Sequence, residues 1–172
     1  GISGVMPKVL NSSSNAKATV WTDQLILKTG TQEIPGLAIN EYLCLEVARA
    51  AGLDVPQTAL SDDGQVLAIE RFDRQHGQQF ALEDFCAIAA LDPVNKYKCS
   101  LERLVDLHNE YVVSTRRQES AKQLYTLILL NYALHNGDAH LKNFALVYTH
   151  YDDAFLAPIY DVVTTSAYST PL

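Results

Sequence analysis

Asn136-Gly137-Asp138-Ala139-His140-Leu141-Lys142-Asn143 decides how the rest of the sequence is read. It follows a long apolar helical pattern and precedes a strand pattern, so it is a loop at a helix-to-strand junction. An acid, an imidazole, an amine and a carboxamide crowd into it. Asp138 and Asn143 stand five positions apart. A carboxylate and a carboxamide at that spacing ahead of a strand suit phosphoryl transfer, the acid accepting a hydroxyl proton and the amide oxygen binding a metal ion. Taken alone, the loop also reads as a charged turn or as a metal site centred on His140.

The flanking segments sharpen this. Phe144 to Tyr148 and Phe155 to Pro158 read as a hairpin across the polar turn Thr149 to Asp153. The loop before it and Tyr160-Asp161 after it then lie at one end, which makes Asn143 and Asp161 neighbours and offers Asp161 as a second metal ligand. Upstream, Ser120 to Leu134 is the strongest helical pattern, with Leu124, Leu127, Ile128 and Leu134 inward and Ile128-Leu129-Leu130 indicating deep burial. Ser100 to Tyr111 is a second helix, capped by Ser100, with Leu101, Leu104, Val105, His108 and Tyr111 on one face. His108 reads there as a packing residue and Arg116-Arg117 as a solvated pair. Leu82 to Leu91 reads as a further helix broken by Asp92-Pro93.

The first part of the chain has a different texture. Ala18 to Trp21 and Gln24 to Lys28 read as strands, Leu37 to Ala51 as a helix stopped by Gly52, and Thr58 to Ser61 with Gln65 to Glu70 as a hairpin across Asp62-Asp63-Gly64. A loop that handles phosphate requires this part to supply a phosphate cradle, a lysine and an adenine edge. Gly1 to Leu10 is a Gly/Ser loop whose backbone N–H groups can cradle an anion, and equally a plain turn. Lys28 ends the apolar run Leu25-Ile26-Leu27, where a lysine either snorkels to solvent or faces a phosphate. Glu41 either complements the positive helix end or pairs with Lys28. Glu70-Arg71-Phe72-Asp73-Arg74 ends a strand, as an ordinary charged terminus or as an edge whose backbone binds adenine beside Phe72.

Composition narrows the class. With 48% hydrophobic and 19% charged residues over 172 positions, the chain builds one compact domain or two small lobes. A formal charge of −7 argues against sequence-independent nucleic-acid binding. Cys44, Cys86 and Cys99 show neither paired nor metal-type spacing, which fits free thiols in a reducing cytoplasm. No apolar run approaches the roughly 18 residues of a membrane span, no segment reads as a signal peptide, and the start at Gly1 suggests a piece of something longer.

Several segments together resemble the kinase region of the HipA family of bacterial Ser/Thr kinases, the toxins of HipA–HipB type systems. They are Ile2-Ser3-Gly4-Val5-Met6-Pro7-Lys8, Pro35-Gly36-Leu37-Ala38-Ile39-Asn40-Glu41-Tyr42, Gly52-Leu53-Asp54-Val55-Pro56, Glu70-Arg71-Phe72-Asp73-Arg74, Gly137-Asp138-Ala139-His140-Leu141-Lys142-Asn143 and Tyr160-Asp161-Val162, in the family's order over nearly the whole chain. The resemblance implies an α+β, two-lobed protein-kinase-like fold, with a β-rich N-terminal lobe over residues 1–74 and a mainly helical, truncated C-terminal lobe over 75–172. It implies transfer of the ATP γ-phosphate to a protein hydroxyl, with Mg2+ as metal, in the cytoplasm. By the same resemblance Asp138 is the base, Asn143 and Asp161 are metal ligands, and Lys28 reaches the phosphates, with Glu41 positioning it. Ser3, Gly4, Val5, Met6, Pro7 and Lys8 form the phosphate loop. Glu70, Arg71 and Phe72 form the adenine hinge, and His140, Leu141, Lys142 and Tyr160 border the nucleotide. Ser3 is the serine available for autophosphorylation. The implied partners are a protein substrate such as an aminoacyl-tRNA synthetase and a HipB-like helix-turn-helix antitoxin, through which DNA is reached indirectly. The family's small N-terminal domain is missing, and relatives continue with a helical segment beyond the position of Leu172, so helix faces between Ser100 and Leu134 are expected to lie partly open. A truncated core that only binds nucleotide or antitoxin is the alternative reading, and a small-molecule phosphotransferase a weaker one.

Overall fold

The computed structural model describes residues 19–31, 34–75 and 77–168. Strand β1 (Thr19–Trp21) runs antiparallel to β2 (Leu25–Thr29), and Thr22 Oγ1 closes the turn between them by accepting the Leu25 N–H at 2.8 Å. The sheet continues with β3 (Thr58–Leu60) and β4 (Val66–Glu70) in the order β1-β2-β4-β3, all antiparallel. The central pair carries the aliphatic residues, and Leu27, Leu67, Ala68 and Ile69 are buried.

Helix α1 (Leu37–Ala50) covers this sheet with the stripe Leu37, Ala38, Glu41, Cys44, Leu45 and Ala48, whose three- and four-residue steps lie along one face. Leu45 is fully buried, a burial that contributes roughly 1.5–3 kcal/mol. The helix stops where Gly52 takes φ +81°. There the Gly52 N–H bonds Arg49 O at 3.0 Å and the Leu53 N–H bonds Ala48 O at 3.1 Å, satisfying two terminal carbonyls.

After β4 the chain forms the small hairpin β5 (Arg74–Gln75) and β6 (Gln78–Gln79), then becomes mainly helical. The helix expected over Leu82 to Leu91 is instead β7 (Ala81–Asp84) followed by the one-turn α2 (Phe85–Ile88). Two local causes act. Ala81 to Asp84 pair antiparallel with Tyr148 to Ala145, and the Asp84 carboxylate accepts the Ala87 N–H at 2.9 Å, starting the helix only there. Ala90 at φ +53° ends it.

Helices α3 (Leu101–Tyr111) and α4 (Arg117–Ala133) pack together, joined by His108 Nε2 at 2.8 Å from Ser120 Oγ. Ser100 caps α3 by accepting the Arg103 N–H at 3.2 Å. The buried face of α3 is narrower than expected. Leu104, Leu107 and His108 are inside, whereas Leu101, Val105 and Tyr111 face solvent. On α4, Leu124, Leu127 and Leu130 are buried, but Leu129, Tyr125 and Tyr132 are exposed, so the run Ile128-Leu129-Leu130 straddles the helix. The expected open face of these helices is therefore present. Arg116 is not simply solvated, because its guanidinium lies 4.1 Å from the Phe155 ring centroid. Strands β8 (Ala145–Tyr148) and β9 (Phe155–Leu156) complete the sheet β7-β8-β9.

Polar bonds clamp the two parts together. The Ile159 N–H bonds Asp54 O at 2.7 Å, and Gln123 Oε1 accepts the Asp54 N–H at 3.0 Å. Asn40, buried on α1, donates to Thr164 O at 2.9 Å and accepts the Thr164 N–H at 2.9 Å. The segment after Asp161 is thereby held to α1. Among the described residues no helix is long and apolar enough to cross a membrane.

Candidate active site

Three elements converge on Lys28. From β2 its ammonium reaches Glu41 of α1 at 2.5 Å and also pairs with Asp161, with the Lys28 and Glu41 side chains 12% and 4% exposed. Burial works against the charge, but Glu41 and Asp161 outweigh it and hold the Lys28 pKa above the ordinary lysine value. The snorkelling alternative for Lys28 is thus overturned, as is the helix-end alternative for Glu41, which lies beyond the first turn of α1.

Asp161 adopts φ +55°, a left-handed conformation tolerated by Asp and found where a site constrains the backbone. Its carbonyl accepts from Asn143 Nδ2 at 3.0 Å, so the hairpin brings these two residues together. Next to it, Tyr160 stacks on Phe72 with ring centroids 5.7 Å apart and donates to Lys142 O at 3.0 Å. Burial, then the nearby Asp161 and Asp84, push the Tyr160 phenol well above the usual tyrosine range.

The loop after α4 is held by polar groups of its own and by residues from other segments. Asn131 Oδ1 accepts from Asn136 Nδ2 at 2.8 Å, and Asn136 Oδ1 accepts the Asp138 N–H at 3.2 Å. The Gly137 N–H donates to Thr165 Oγ1 at 3.0 Å, and that hydroxyl donates to His135 O at 2.8 Å. A side chain at Gly137 would meet Thr165 Oγ1 at 2.8 Å, which explains the glycine. The Asp138 carboxylate accepts the Tyr97 hydroxyl, with His140 Nε2 at 3.7 Å and Lys96 Nζ at 3.9 Å from the same oxygen. The hydrogen bond to Asp138 pushes the Tyr97 phenol up to about 12. Burial lowers the His140 pKa, and Lys96 adds to this against the pull of Asp138, so the imidazole is neutral near pH 7.

Asn143 tests whether this cluster suits magnesium. Its side chain is buried, its amide N–H is committed to Asp161, and its Oδ1 has no hydrogen-bond partner among the described residues. An uncommitted carboxamide oxygen on a side chain bonded to the backbone of Asp161, whose carboxylate is a second oxygen donor, fits the hard-oxygen set that magnesium takes, with phosphate and water completing the shell. No group of three or more His, Cys, Asp or Glu side chains with metal-site geometry exists among the described residues, so a site centred on His140 is not supported.

The Glu70 and Arg71 N–H groups are used by Gln57 O and Gln24 O, each at 2.8 Å, whereas the Phe72 N–H has no backbone partner among the described residues. The Arg71 side chain turns away, bonding Asp73 at 2.9 and 2.5 Å and Thr22 O at 3.1 Å. Lys142 also turns away, pairing with Asp84 at 3.0 Å, and Leu141 is a core residue. A cavity of about 680 Å³ opens beside Glu70, Arg71 and Phe72, but Lys28, Asn143 and Asp161 do not line it, so it is distinct from the charged cluster. Ser3 to Lys8 lie outside the described residues. Lys96, Tyr97 and Thr165 stand in no motif that the sequence offers, and Asn40 lies within the segment Pro35 to Tyr42 with no sign there of its clamp on Thr164.

A β-rich lobe contributing a helix-anchored lysine, set against a mainly helical lobe contributing an Asp/Asn loop and a second Asp, defines a two-lobed kinase-like protein. The chain belongs to the HipA-like C-terminal domain family, whose model matches residues 1–172. It is 31% identical over 157 residues to the putative kinase Y4dM of Sinorhizobium fredii, covering 83% of this chain and 38% of that protein. It is 27% identical over 194 residues to the serine/threonine-protein kinase toxin HipA of Shewanella oneidensis, covering 97% of this chain and 43% of the relative. The chain therefore spans about two fifths of these two relatives. The fold matches HipA in the Shewanella oneidensis MR-1 complex of HipA, HipB and operator DNA with a TM-score of 0.74 at 23% identity, over 84% of this chain and 38% of that one.

Proposed function

We propose that this chain is the nucleotide-binding and catalytic core of a Ser/Thr protein kinase that uses ATP and Mg2+. The observation that carries the reading is the convergence of Lys28, Glu41 and Asp161, with the Asn143 amide N–H donating to the Asp161 carbonyl and its oxygen uncommitted among the described residues. In this reading Lys28, held extended by Glu41, binds the ATP phosphates, and Asn143 and Asp161 hold magnesium, which neutralises phosphate charge when bound. Asp138 accepts the proton of the acceptor hydroxyl. The Phe72 N–H and the Phe72–Tyr160 stack form the adenine side, and Ser3 to Lys8 the phosphate loop. The lobes meet near residues 74 and 75. Phosphoryl transfer depends on positioning and charge neutralisation, which these groups can supply without covalent catalysis.

The matched complex of HipA, HipB and operator DNA supports extending the proposal to a HipB-type antitoxin as partner; in our reading that antitoxin is a helix-turn-helix protein and DNA is reached only through it. An aminoacyl-tRNA synthetase is the protein substrate we propose, and Ser3 the autophosphorylated residue. Incubation with γ-labelled ATP and Mg2+ tests the core claim. The expected outcome is label on serine or threonine of the chain or of an added synthetase, lost in Asn143→Ala and restored in part by raising Mg2+. Tight nucleotide binding with no transfer under any condition would favour a non-catalytic binding module instead.

A further inference from the structure

The charged cluster leaves a question of charge balance. Lys28 is committed to Glu41 and Asp161, and Lys142, the lysine inside the loop, points away to Asp84. The cation beside the proposed base comes from another segment. The turn Pro93–Asn95 delivers Lys96 so that its carbonyl accepts the Leu141 N–H at 3.1 Å, which ties its backbone to the loop. Its ammonium then lies 3.9 Å from Asp138 Oδ1 and 5.0 Å from the Tyr97 ring centroid, while Tyr97 packs edge-on to His140 at 5.2 Å. Tyr97 thus braces both Lys96 and His140 around Asp138, and its hydroxyl occupies a seat on the carboxylate that an acceptor hydroxyl must take.

We infer that Lys96 is a catalytic residue, its ammonium contacting the phosphoryl group as it passes to an acceptor hydroxyl seated on Asp138 in place of the Tyr97 phenol. The inference rests on the kinase reading. Its geometry is simple. An acceptor oxygen within hydrogen-bond reach of Asp138, about 2.6–3.2 Å, places phosphorus about 3–3.5 Å further on. The Lys96 ammonium, 3.9 Å from Oδ1 on a long side chain, is within reach of a group held there. In the step, the acceptor O–H proton goes to Asp138 and the oxygen bonds γ-phosphorus. The bond from phosphorus to the β–γ bridging oxygen breaks, its electron pair leaving with ADP. Negative charge spread over the transferring oxygens is what a cation at this point stabilises.

The test compares binding of Mg·ADP with Mg·ADP·AlF4−, a mimic of the transferring phosphoryl group, in wild type, Lys96→Met and Lys96→Arg. Wild type should bind the fluoride complex more tightly than Mg·ADP. Lys96→Met should keep its Mg·ADP affinity and lose at least about tenfold of that preference, with transfer slowed about 10²- to 10³-fold, and Lys96→Arg should regain part of both. Because the Lys96 contact to Leu141 is made by its backbone and its side-chain pairing with Asp138 is partly exposed, the three thermal midpoints should agree within about 4 °C. If Lys96→Met retains the full preference for the fluoride complex, Lys96 is not catalytic while the kinase reading stands. If wild type binds neither complex, the kinase reading falls and this inference with it.

Discussion

Glu41→Gln separates the two origins that a glutamate at this place in a helix can have. Gln keeps size, helix compatibility and hydrogen-bonding capacity but removes the charge facing Lys28. The side chains of Lys28 and Glu41 are 12% and 4% exposed. Breaking a pair this buried strands a charge and costs about 3–5 kcal/mol. Asp161, 45% exposed, stays on Lys28, which puts the expected loss at the low end, about 3 kcal/mol. For a chain of this length each kcal/mol moves Tm by about 2–4 °C, so a fall of roughly 6–12 °C is expected. Interaction with a helix end would instead cost about 0.3–1 kcal/mol and fade with salt. Thermal unfolding at low and high ionic strength, with the ATP Kd alongside, distinguishes these. A large, salt-resistant drop with weakened ATP binding is expected. A drop below about 3 °C that vanishes in salt would refute the reasoning.

Two further outcomes follow from the loop and the core. Gly137→Ala drives a methyl into Thr165 Oγ1 at 2.8 Å, so it should cost about 1–3 kcal/mol and lower kcat more than it raises the KM for ATP, since it displaces Asp138 but not the lobe that holds Lys28. His108 is buried against Ser120, and that burial, with Arg117 adding to it against Asn109, holds its pKa below the ordinary 6.5. A depressed histidine pKa stabilises the fold above the unfolded value and loses that contribution as pH falls through the folded one. The urea midpoint of wild type should therefore decline below about pH 6.5 more steeply than that of His108→Gln.

Much of this was legible in the sequence because it rests on local periodicity. The hairpin pattern ahead of Tyr160-Asp161 alone implies that Asn143 and Asp161 meet, and the apolar run Leu25-Ile26-Leu27 places Lys28 at the end of a buried strand. Other parts were set by partners far away in sequence. Ala81-Leu82-Glu83-Asp84 carries no strand alternation, and only pairing with β8 makes it a strand. The open faces of α3 and α4 depend on which neighbours exist, which apolar spacing does not record. Lys96-Tyr97 carries no pattern, and Asn40, although inside the segment Pro35 to Tyr42, carries no sign of its distant partner. They matter because a short turn and a helix happen to set them against Asp138 and Thr164.

The central claim is that Asp138 is the base of a phosphoryl-transfer site. Single-turnover transfer of labelled γ-phosphate from Mg·ATP, measured in wild type and Asp138→Asn together with ATP affinity, tests it most directly. The account predicts that Asp138→Asn slows transfer by about 10²- to 10⁴-fold while ATP affinity and Tm stay near wild type. Transfer by Asp138→Asn at the wild-type rate would contradict it.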